Sequence, residues 1–516
     1  MIAALSNSIR RPRGAAVFSR KDESAARKPP ETHIWRGSMS MILSAAIKHL
    51  RGALRCALAL AIAAPVLATF AMVGAHAQTN SRPHIIHIVS DDQGWKDVGY
   101  NGSDIKTPNI DKLASGGMVL TDFYALPMCT PTRAAIMTGR YPFRYGLQTG
   151  VIPSSGAYGL ATDEFLMPQL LKSAGYRTAM VGKWHLGHAK REFWPRQRGF
   201  DSTYGPLIGE IDHFTHKSHG ITDWYRDNRK LEEKGYDTTL FGNEAVRLIS
   251  RHDPNTPLYL YLAFTAPHTP YQAPEAYLAR YKHIADPLRR AYAAQITAMD
   301  DEIGRVIAAL EKRGMLQNSL VVYHTDNGGT RDNMFAGEAA VKGELPPNNG
   351  PFRAGKGTVR EGGTRVAAVV SWPGRVKPGK SAGLMHVVDL YATFAAVAGA
   401  KLGQNKPLDG LDMTSFLTGA SPSPRNEIVY NIEPFRAALR EGNMKLLWVP
   451  ALPGTTELHN LATDPSETTN IADKNPEVVA RMKARIVDLS KQAAPPLLLG
   501  AMISTTYGAA PLWPKE

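Results

Sequence analysis

Cysteine is nearly absent from this chain. Two occur in 516 residues, Cys56 and Cys129. Cys56 falls in a segment expected to be removed, so the mature protein holds one. A single cysteine makes no internal disulfide, and disulfides are excluded as a source of stability. A dithiol redox couple is excluded as well, because no second cysteine could resolve an oxidised Cys129. The ordinary role of such a residue is that of a small buried hydrophobe. Long apolar runs are also scarce: after residue 77 none could span a bilayer. The G-x-x-x-x-G-K-[ST] phosphate loop is missing, and there are no internal repeats or low-complexity linkers. The net charge of +14 loses its meaning on division. Residues 1–77 supply +8 of it and the rest carries +6 with no dense basic block. Nucleic-acid binding is set aside on that ground.

What is present begins with a targeting pattern. Lys48, Arg51 and Arg55 precede an apolar run over 57–73, and Ala75-His76-Ala77 fits a small-x-small cleavage site. Residues 41–77 read as a signal peptide, with Gln78 as the new N-terminus. Pro65 and the cleavage pattern weigh against an uncleaved anchor. Residues 1–40 are polar, Arg-rich and unpatterned: either a leader, or a stretch upstream of a start at Met41. Export to a periplasm or the cell exterior follows, with membrane contact only in transit.

From residue 83 to about 400, predicted strands alternate with predicted helices. Strands fall at 83–89, 118–124, 177–181, 258–264, 319–323 and 366–372. Helices fall at 107–118, 165–174, 238–250, 287–313 and 387–398. That rhythm predicts an α/β fold, a large mainly parallel (mixed) sheet sandwiched by helices. Past residue 420 it changes. Short strands at 427–432, 437–439, 444–449 and 457–461, then an amphipathic helix at 475–492, predict a small antiparallel sheet with a covering helix. The expected division is 78–420 for the main domain and 421–516 for a packed C-terminal subdomain.

Chemistry-bearing residues sit where predicted strands end. Asp91-Asp92 follows the first strand. These are either two carboxylates awaiting a cation or a solvated turn. Lys183 and His185, two apart at a strand exit, point the same way or form a plain surface pair. His268 and Asp326-Asn327 end two further strands. In open α/β sheets ligands bind beyond the carboxyl ends of the strands, so four such exits on one edge would make a single site. Asp91, Asp92, Asp326 and Asn327 offer hard oxygens, which suit Ca²⁺ or Mg²⁺. Cys129-Thr130-Pro131-Thr132-Arg133 reads as a helix start, where free N–H groups attract anions. With Arg133, Lys183, Lys356, His185 and His268 nearby, the set predicts a pocket for a tetrahedral oxyanion. The loops at 188–237 and 329–351 are expected to line its entrance. His213, His216 and His219 there either contact a sugar or are plain surface histidines, the second being the commoner case.

The string from Cys129 to Arg140, C-T-P-T-R-A-A-I-M-T-G-R, resembles the signature of the type I sulfatases. Gly182-Lys183-Trp184-His185-Leu186-Gly187 resembles that family's second motif. Arg198-Gly199-Phe200-Asp201 and Ser421-Pro422-Ser423-Pro424-Arg425, with Asn431-Ile432 after it, look most like the arylsulfatase B (N-acetylgalactosamine-4-sulfatase) branch. The resemblance runs from about residue 83 to 475 and implies an alkaline-phosphatase-like fold. It implies that Cys129 is oxidised by a separate maturation enzyme to formylglycine (3-oxoalanine), and that Asp91, Asp92, Asp326 and Asn327 hold Ca²⁺ (Mg²⁺ second) with residue 129 at the metal. A gem-diol oxygen would attack sulfur and leave a sulfated enzyme, with His185 the base that expels sulfate. Arg133 and Lys183 would hold the diol. Lys183, His268 and Lys356 would bind the sulfate, with His268 or Lys356 protonating the leaving oxygen. The implied activity is hydrolysis of an aryl or carbohydrate sulfate ester. Two rivals stand beside it: a phosphate mono- or diester or phosphonate hydrolase of the same superfamily, and a non-catalytic protein that binds sulfated glycans.

Overall fold

The computed structural model describes residues 82–335, 344–403, 406–451 and 453–500. The expectations for residues 1–77 and for Cys56 lie outside them. The element that organises the rest is strand β1, His84–Ser90, whose seven residues are all buried. A run of Ile and Val with no alternation demands cover on both faces, and the structure supplies it.

Strands follow in chain order as β2 (Met118–Leu120), β3 (Arg177–Gly182), β4 (Ser202–Gly205), β5 (Tyr225–Arg226), β6 (Arg229–Lys230), β7 (Leu258–Ala263), β8 (Ser319–Thr325), β9 (Ala368–Ser371) and β10 (Gly379–Ser381). Among the described residues these ten make one sheet in the order β10-β2-β9-β8-β1-β7-β3-β4-β5-β6. The centre, β8-β1-β7-β3-β4, is parallel. β9 runs antiparallel to both its neighbours, and β5 and β6 close the far edge as an antiparallel ribbon. The sheet is therefore mixed, as the sequence predicts. The exception is 198–235, expected as loop. Its β4, β5 and β6 extend the sheet through segments too short to show a period.

The longer helices are α1 (Pro108–Ser115), α2 (Cys129–Thr138), α3 (Met167–Ser173), α4 (Asp237–Arg251), α5 (Pro287–Lys312), α6 (Asp389–Ala398) and, near the end, α7 (Pro476–Ser490). They divide between two apolar cores. Ile85 and Val89 of β1 pack with Ala134, Ile136, Leu170 and Phe394. Ile86 and Ile88 pack on the other face with Ile110, Phe241, Met299 and Ile303. The period of two along β1 thus assigns α2, α3 and α6 to one side and α1, α4 and α5 to the other. Helix α5 begins where Asp286 accepts from the Leu288 and Arg289 amides, with Pro287 as its first residue.

Strands β11 (Glu427–Ile432), β12 (Ala437–Glu441), β13 (Met444–Val449) and β14 (Thr455–Asn460) form an antiparallel sheet in sequence order. Val429, Leu439, Leu446 and Leu458 share the first core with α2, α3 and α6, as do Met482, Ile486 and Leu489 of α7.

Candidate functional site

Register brings the strand-end residues together. β1 and β8 pair from His84↔Ser319 to Ser90↔Thr325 and finish in step. Asp91 and Asp92 therefore emerge beside Asp326 and Asn327. Ala263, last in β7, pairs with Gly182, last in β3, and the Lys183 amide donates to the Ala263 carbonyl at 2.8 Å. Gly182 holds φ +107, and a Cβ there would meet the Ala263 oxygen at 1.8 Å. Only glycine lets the chain turn Lys183 inward at this point. Asp92 and His185 have φ +58 and +57, left-handed values that ordinary residues adopt mainly where surroundings enforce them.

Cys129 opens α2 and is buried. Its thiol lies 3.5 Å from Asp91 Oδ1 and 3.9 Å from Asp92 Oδ1. Burial, reinforced by Asp326, pushes that thiol well above its ordinary range, so it is protonated at neutral pH and poorly suited to attack as a thiolate. Arg133, one turn on, donates to Asp326 Oδ2 at 2.9 and 3.1 Å and to the Lys183 carbonyl at 3.0 Å. Lys183 Nζ is bonded to Asp91 Oδ2, and Lys356 Nζ reaches Asp92 Oδ2 at 2.7 Å. Burial would raise Asp92, but Lys356, His268 and Lys183 together hold it far below the carboxylate range. Asp326 moves the other way, raised by burial and by Asp91.

The two histidines are neutral, and their partners fix their tautomers. His185 Nε2 lies 3.1 Å from the Ile152 carbonyl. A carbonyl only accepts, so Nε2 carries the proton. Nδ1 keeps its lone pair and is buried with no hydrogen-bond partner among the described residues. Burial, then Lys183 and Arg133, hold this imidazole well below its usual pKa. His268 Nδ1 donates to the Thr269 carbonyl at 2.7 Å, leaving Nε2 to accept from Lys356 at 3.1 Å. Burial and Lys356 lower His268 to about 3.

Ligand atoms of Asp91, Asp92, Cys129 and His268 all lie within 4.8 Å of one another. Asn327 Nδ2 donates to Asp92 Oδ1 at 2.7 Å, while Asn327 Oδ1 is buried without a hydrogen-bond partner among the described residues. An orphaned carbonyl oxygen beside buried carboxylates is the chemistry a divalent hard cation satisfies. Asp91, Asp92, Asp326, Asn327, Cys129, Arg133, Lys183, His185, His268 and Lys356 thus meet in one region.

The site opens into a cavity of about 390 Å³ lined by Cys129, His185, His268 and Lys356 at its base. Its walls include Ile152, Pro153, Ile208, Glu210, His219, Met334 and Phe335, so both loops expected at the entrance contribute. The surface reading of His213 and His216 is corrected. His213 is buried with Nδ1 2.8 Å from Asp237 Oδ2, and His216 stacks on Trp224 at 4.1 Å. The carboxylate of Asp237, at the start of α4, faces His213 and Thr265 as well as the Thr238 amide. His219 alone of the three lines the cavity. Sequence reasoning passed over two hydroxyls. Thr330 Oγ1 donates to Asp92 Oδ2 at 2.7 Å, and Thr130 Oγ1 donates to the His185 carbonyl at 3.0 Å. Thr130 lies inside the C-T-P-T-R string and Thr330 just after Asp326-Asn327-Gly328-Gly329. That adjacency was the available signal.

Cations, carboxylates and two neutral histidines around a helix start, at the carboxyl edge of a mixed sheet, define a hydrolase that works on a tetrahedral oxyanion ester. The Sulfatase family profile matches residues 83–400. The chain is 34% identical over 471 residues to arylsulfatase J of Mus musculus, covering 80% of this chain and 77% of the relative. It is 35% identical over 355 residues to N-acetylgalactosamine-6-sulfatase of Mus musculus, covering 64% and 65%. The crystal structure of Ps i-CgsB in complex with k-i-k-neocarrahexaose superposes with a TM-score of 0.72 at 33% identity, over 80% of this chain and 94% of that one. The chain belongs to the sulfatase family and is a sulfatase, an enzyme that hydrolyses sulfate esters. Among the described residues no helix is long and apolar enough to cross a membrane.

Proposed function

We propose that this enzyme cleaves a carbohydrate sulfate ester at a formylglycine made from Cys129. One observation carries the mechanism: residue 129 is buried at the start of α2 with its side-chain tip 3.5 Å from Asp91 Oδ1 and 3.9 Å from Asp92 Oδ1, the position an attacking group needs. Oxidised by a maturation enzyme and hydrated, residue 129 would supply an attacking oxygen and a second hydroxyl whose ionisation releases sulfate. Asp91, Asp92, Asp326 and Asn327 would hold a divalent cation, calcium before magnesium, that supplies positive charge to the sulfuryl oxygens.

The rest is the work of this chain's own side chains. Arg133 and Lys183 neutralise the carboxylates and orient residue 129. His185 takes the proton of the second hydroxyl, since its free Nδ1 lone pair is the basic atom at the cavity base. Lys356 and His268 grip the sulfate. The proton they share between Nζ and Nε2 is the one available to the departing alkoxide, and Lys356 is its source because His268 Nε2 carries none. The names of the relatives, one an N-acetylgalactosamine-6-sulfatase and one in complex with a neocarrahexaose, support a sugar substrate; the motif resemblance to the arylsulfatase B branch would make it a sulfated N-acetylgalactosamine. The cavity's mix of polar groups (Glu210, Ser154) with Phe335 and Met334 suits a sugar ring. We further propose export after cleavage near residue 77, a catalytic domain over 78–420 and a C-terminal subdomain from 421.

Mass spectrometry of the tryptic peptide containing residue 129 tests the modification: conversion of cysteine to formylglycine removes about 18 Da. The expected outcome is that loss in protein made with a maturation enzyme, and activity that scales with it. Full activity in a sample whose peptide keeps the unmodified mass would sink the mechanism.

A further inference from the structure

The turn that carries Lys356 is fastened from beneath by charges of the C-terminal sheet. Residues 353–364 fold back on themselves: the Gly362 amide donates to the Arg353 carbonyl at 2.9 Å, and Thr358 to that of Gly355 at 3.1 Å. The same turn grips the two segments that bear the site. The Gly357 amide donates to the Pro127 carbonyl, two residues before Cys129, at 2.7 Å. The Lys356 amide donates to the Gly329 carbonyl at 3.2 Å, and the Gly328 amide to that of Gly363 at 2.9 Å. Gly328 lies so close that a Cβ there would meet the Gly362 oxygen at 1.8 Å.

Glu361, within the turn, meets Lys445 of β13 and Glu467, and none of the three ions has exposed side-chain surface. Lys445 Nζ lies 2.9 Å from an oxygen of each carboxylate. The contact to Glu361 is a hydrogen bond; the one to Glu467 is close without that alignment. Glu467 Oε2 accepts the Glu361 amide at 2.8 Å, and its backbone carbonyl accepts Arg353 Nη1 at 3.1 Å. Both ends of the turn are thus tied to one residue, itself held at φ +54. Tyr430 of β11 donates at 2.6 Å to Glu361 Oε1, the same oxygen that Lys445 contacts, and Lys445 Nζ lies 3.8 Å from the centre of the Tyr430 ring. A buried ion triad is a costly way to gain stability, and apolar replacement is often neutral or better. Its directional contacts do something apolar packing would not: they set where the turn sits.

We propose that Glu467, clamped by Lys445, is a positioning residue for Lys356, so that the C-terminal sheet fixes the geometry of the sulfate pocket. The proposal deepens the functional reading above, because it rests on Lys356 contacting the sulfate group. The test is a double-mutant cycle on matured protein with an aryl sulfate, using Glu467→Gln, Lys356→Ala and both together, with thermal midpoints measured alongside. A displacement of about 1 Å costs up to ~10²-fold, so Glu467→Gln is expected to lower kcat/KM about 10- to 100-fold. In the Lys356→Ala background the same change is expected to have an effect within about twofold, since it acts through that side chain. Full activity in Glu467→Gln, or an equal loss with Lys356 already gone, overturns the proposal. Should Glu467→Gln not fold, Glu361→Gln/Lys445→Met removes one charge of each sign from the same triad and is read by the same two outcomes. If the wild-type enzyme proves inert on sulfate esters, the functional reading fails. The positioning claim is then decided by calorimetric binding of inorganic sulfate, expected to weaken about tenfold in the variant and overturned by equal binding.

Discussion

Cys129 and His185 carry the account at the scale of single residues. The thiol is buried and 3.5 Å from a carboxylate, a place where a cysteine side chain as such accomplishes little. Cys129→Ala is expected to leave the thermal midpoint within a few degrees and to reduce sulfate-ester turnover to background, measured with an aryl sulfate; retained turnover would refute a role for residue 129. His185→Ala removes the buried Nδ1 lone pair, unpaired among the described residues, and is expected to slow turnover about 10²–10⁴-fold. Its signature is a stalled second half-reaction, seen as one sulfate group retained per enzyme. The carboxylates give a third expectation. Removal of divalent cations with a chelator should lower both activity and melting temperature, with calcium restoring both before magnesium does. The stabilisation grows as RT ln(1 + [L]/Kd), about 2.7 kcal/mol at a hundredfold excess over Kd. A chelated protein of unchanged activity and midpoint would remove the metal from the account. The strand-end aspartates were legible in sequence because a buried apolar run stops abruptly at paired charges. Thr130 and Thr330 were marked only by lying within or next to the motifs, and their contacts to His185 and Asp92 depend on the fold.

Among the elements, long periodic helices and runs without polar interruption were the readable ones. Helix α5 was expected over 287–313 and spans Pro287–Lys312; β1 was expected over 83–89 and spans His84–Ser90. The ribbon β5–β6 has two-residue strands that no periodicity could announce. The same limit hid the burial of His213 and His216: their shelter comes from Asp237 and Trp224, partners brought by the fold and not by spacing. Glu361 shows what an element can contribute beyond its length. Burial would raise its carboxyl, but Lys445 and Arg365 bring it from 4.5 down to about 2. A carboxyl depressed in the folded state stabilises fully above its ordinary value and loses that contribution as pH falls through the folded one. The expected result is a melting temperature that drops between about pH 4.5 and 2, with Glu361→Gln flattening that limb of the profile. An acid limb as steep in the variant as in the wild type would assign it to other groups.

Across the whole molecule, the two sheets are not separable parts. Leu439, Leu446, Leu458 and Met482 belong to the same apolar core as Ala134 and Ile136 of α2. Arg425, ahead of β11, is bonded through Nε to Asp389 at the start of α6 at 2.7 Å. A chain ended at residue 420 would bare that core face and lose the Lys445 clamp. It is expected to be insoluble or inactive even with all ten site residues present; a soluble truncation with full activity would contradict the shared core. The alternation of strands and helices made the mixed sheet readable, and the break in rhythm past residue 420 announced the second sheet. That the second sheet packs on the first was readable from the lack of a linker; which residues share the core was not, because packing between distant segments leaves no period in the chain. The central claim is that the pocket serves sulfate esters. It is tested most directly by kcat/KM of the matured enzyme on 4-nitrophenyl sulfate and 4-nitrophenyl phosphate side by side. The account predicts a clear preference for the sulfate; a clear preference for the phosphate would contradict it.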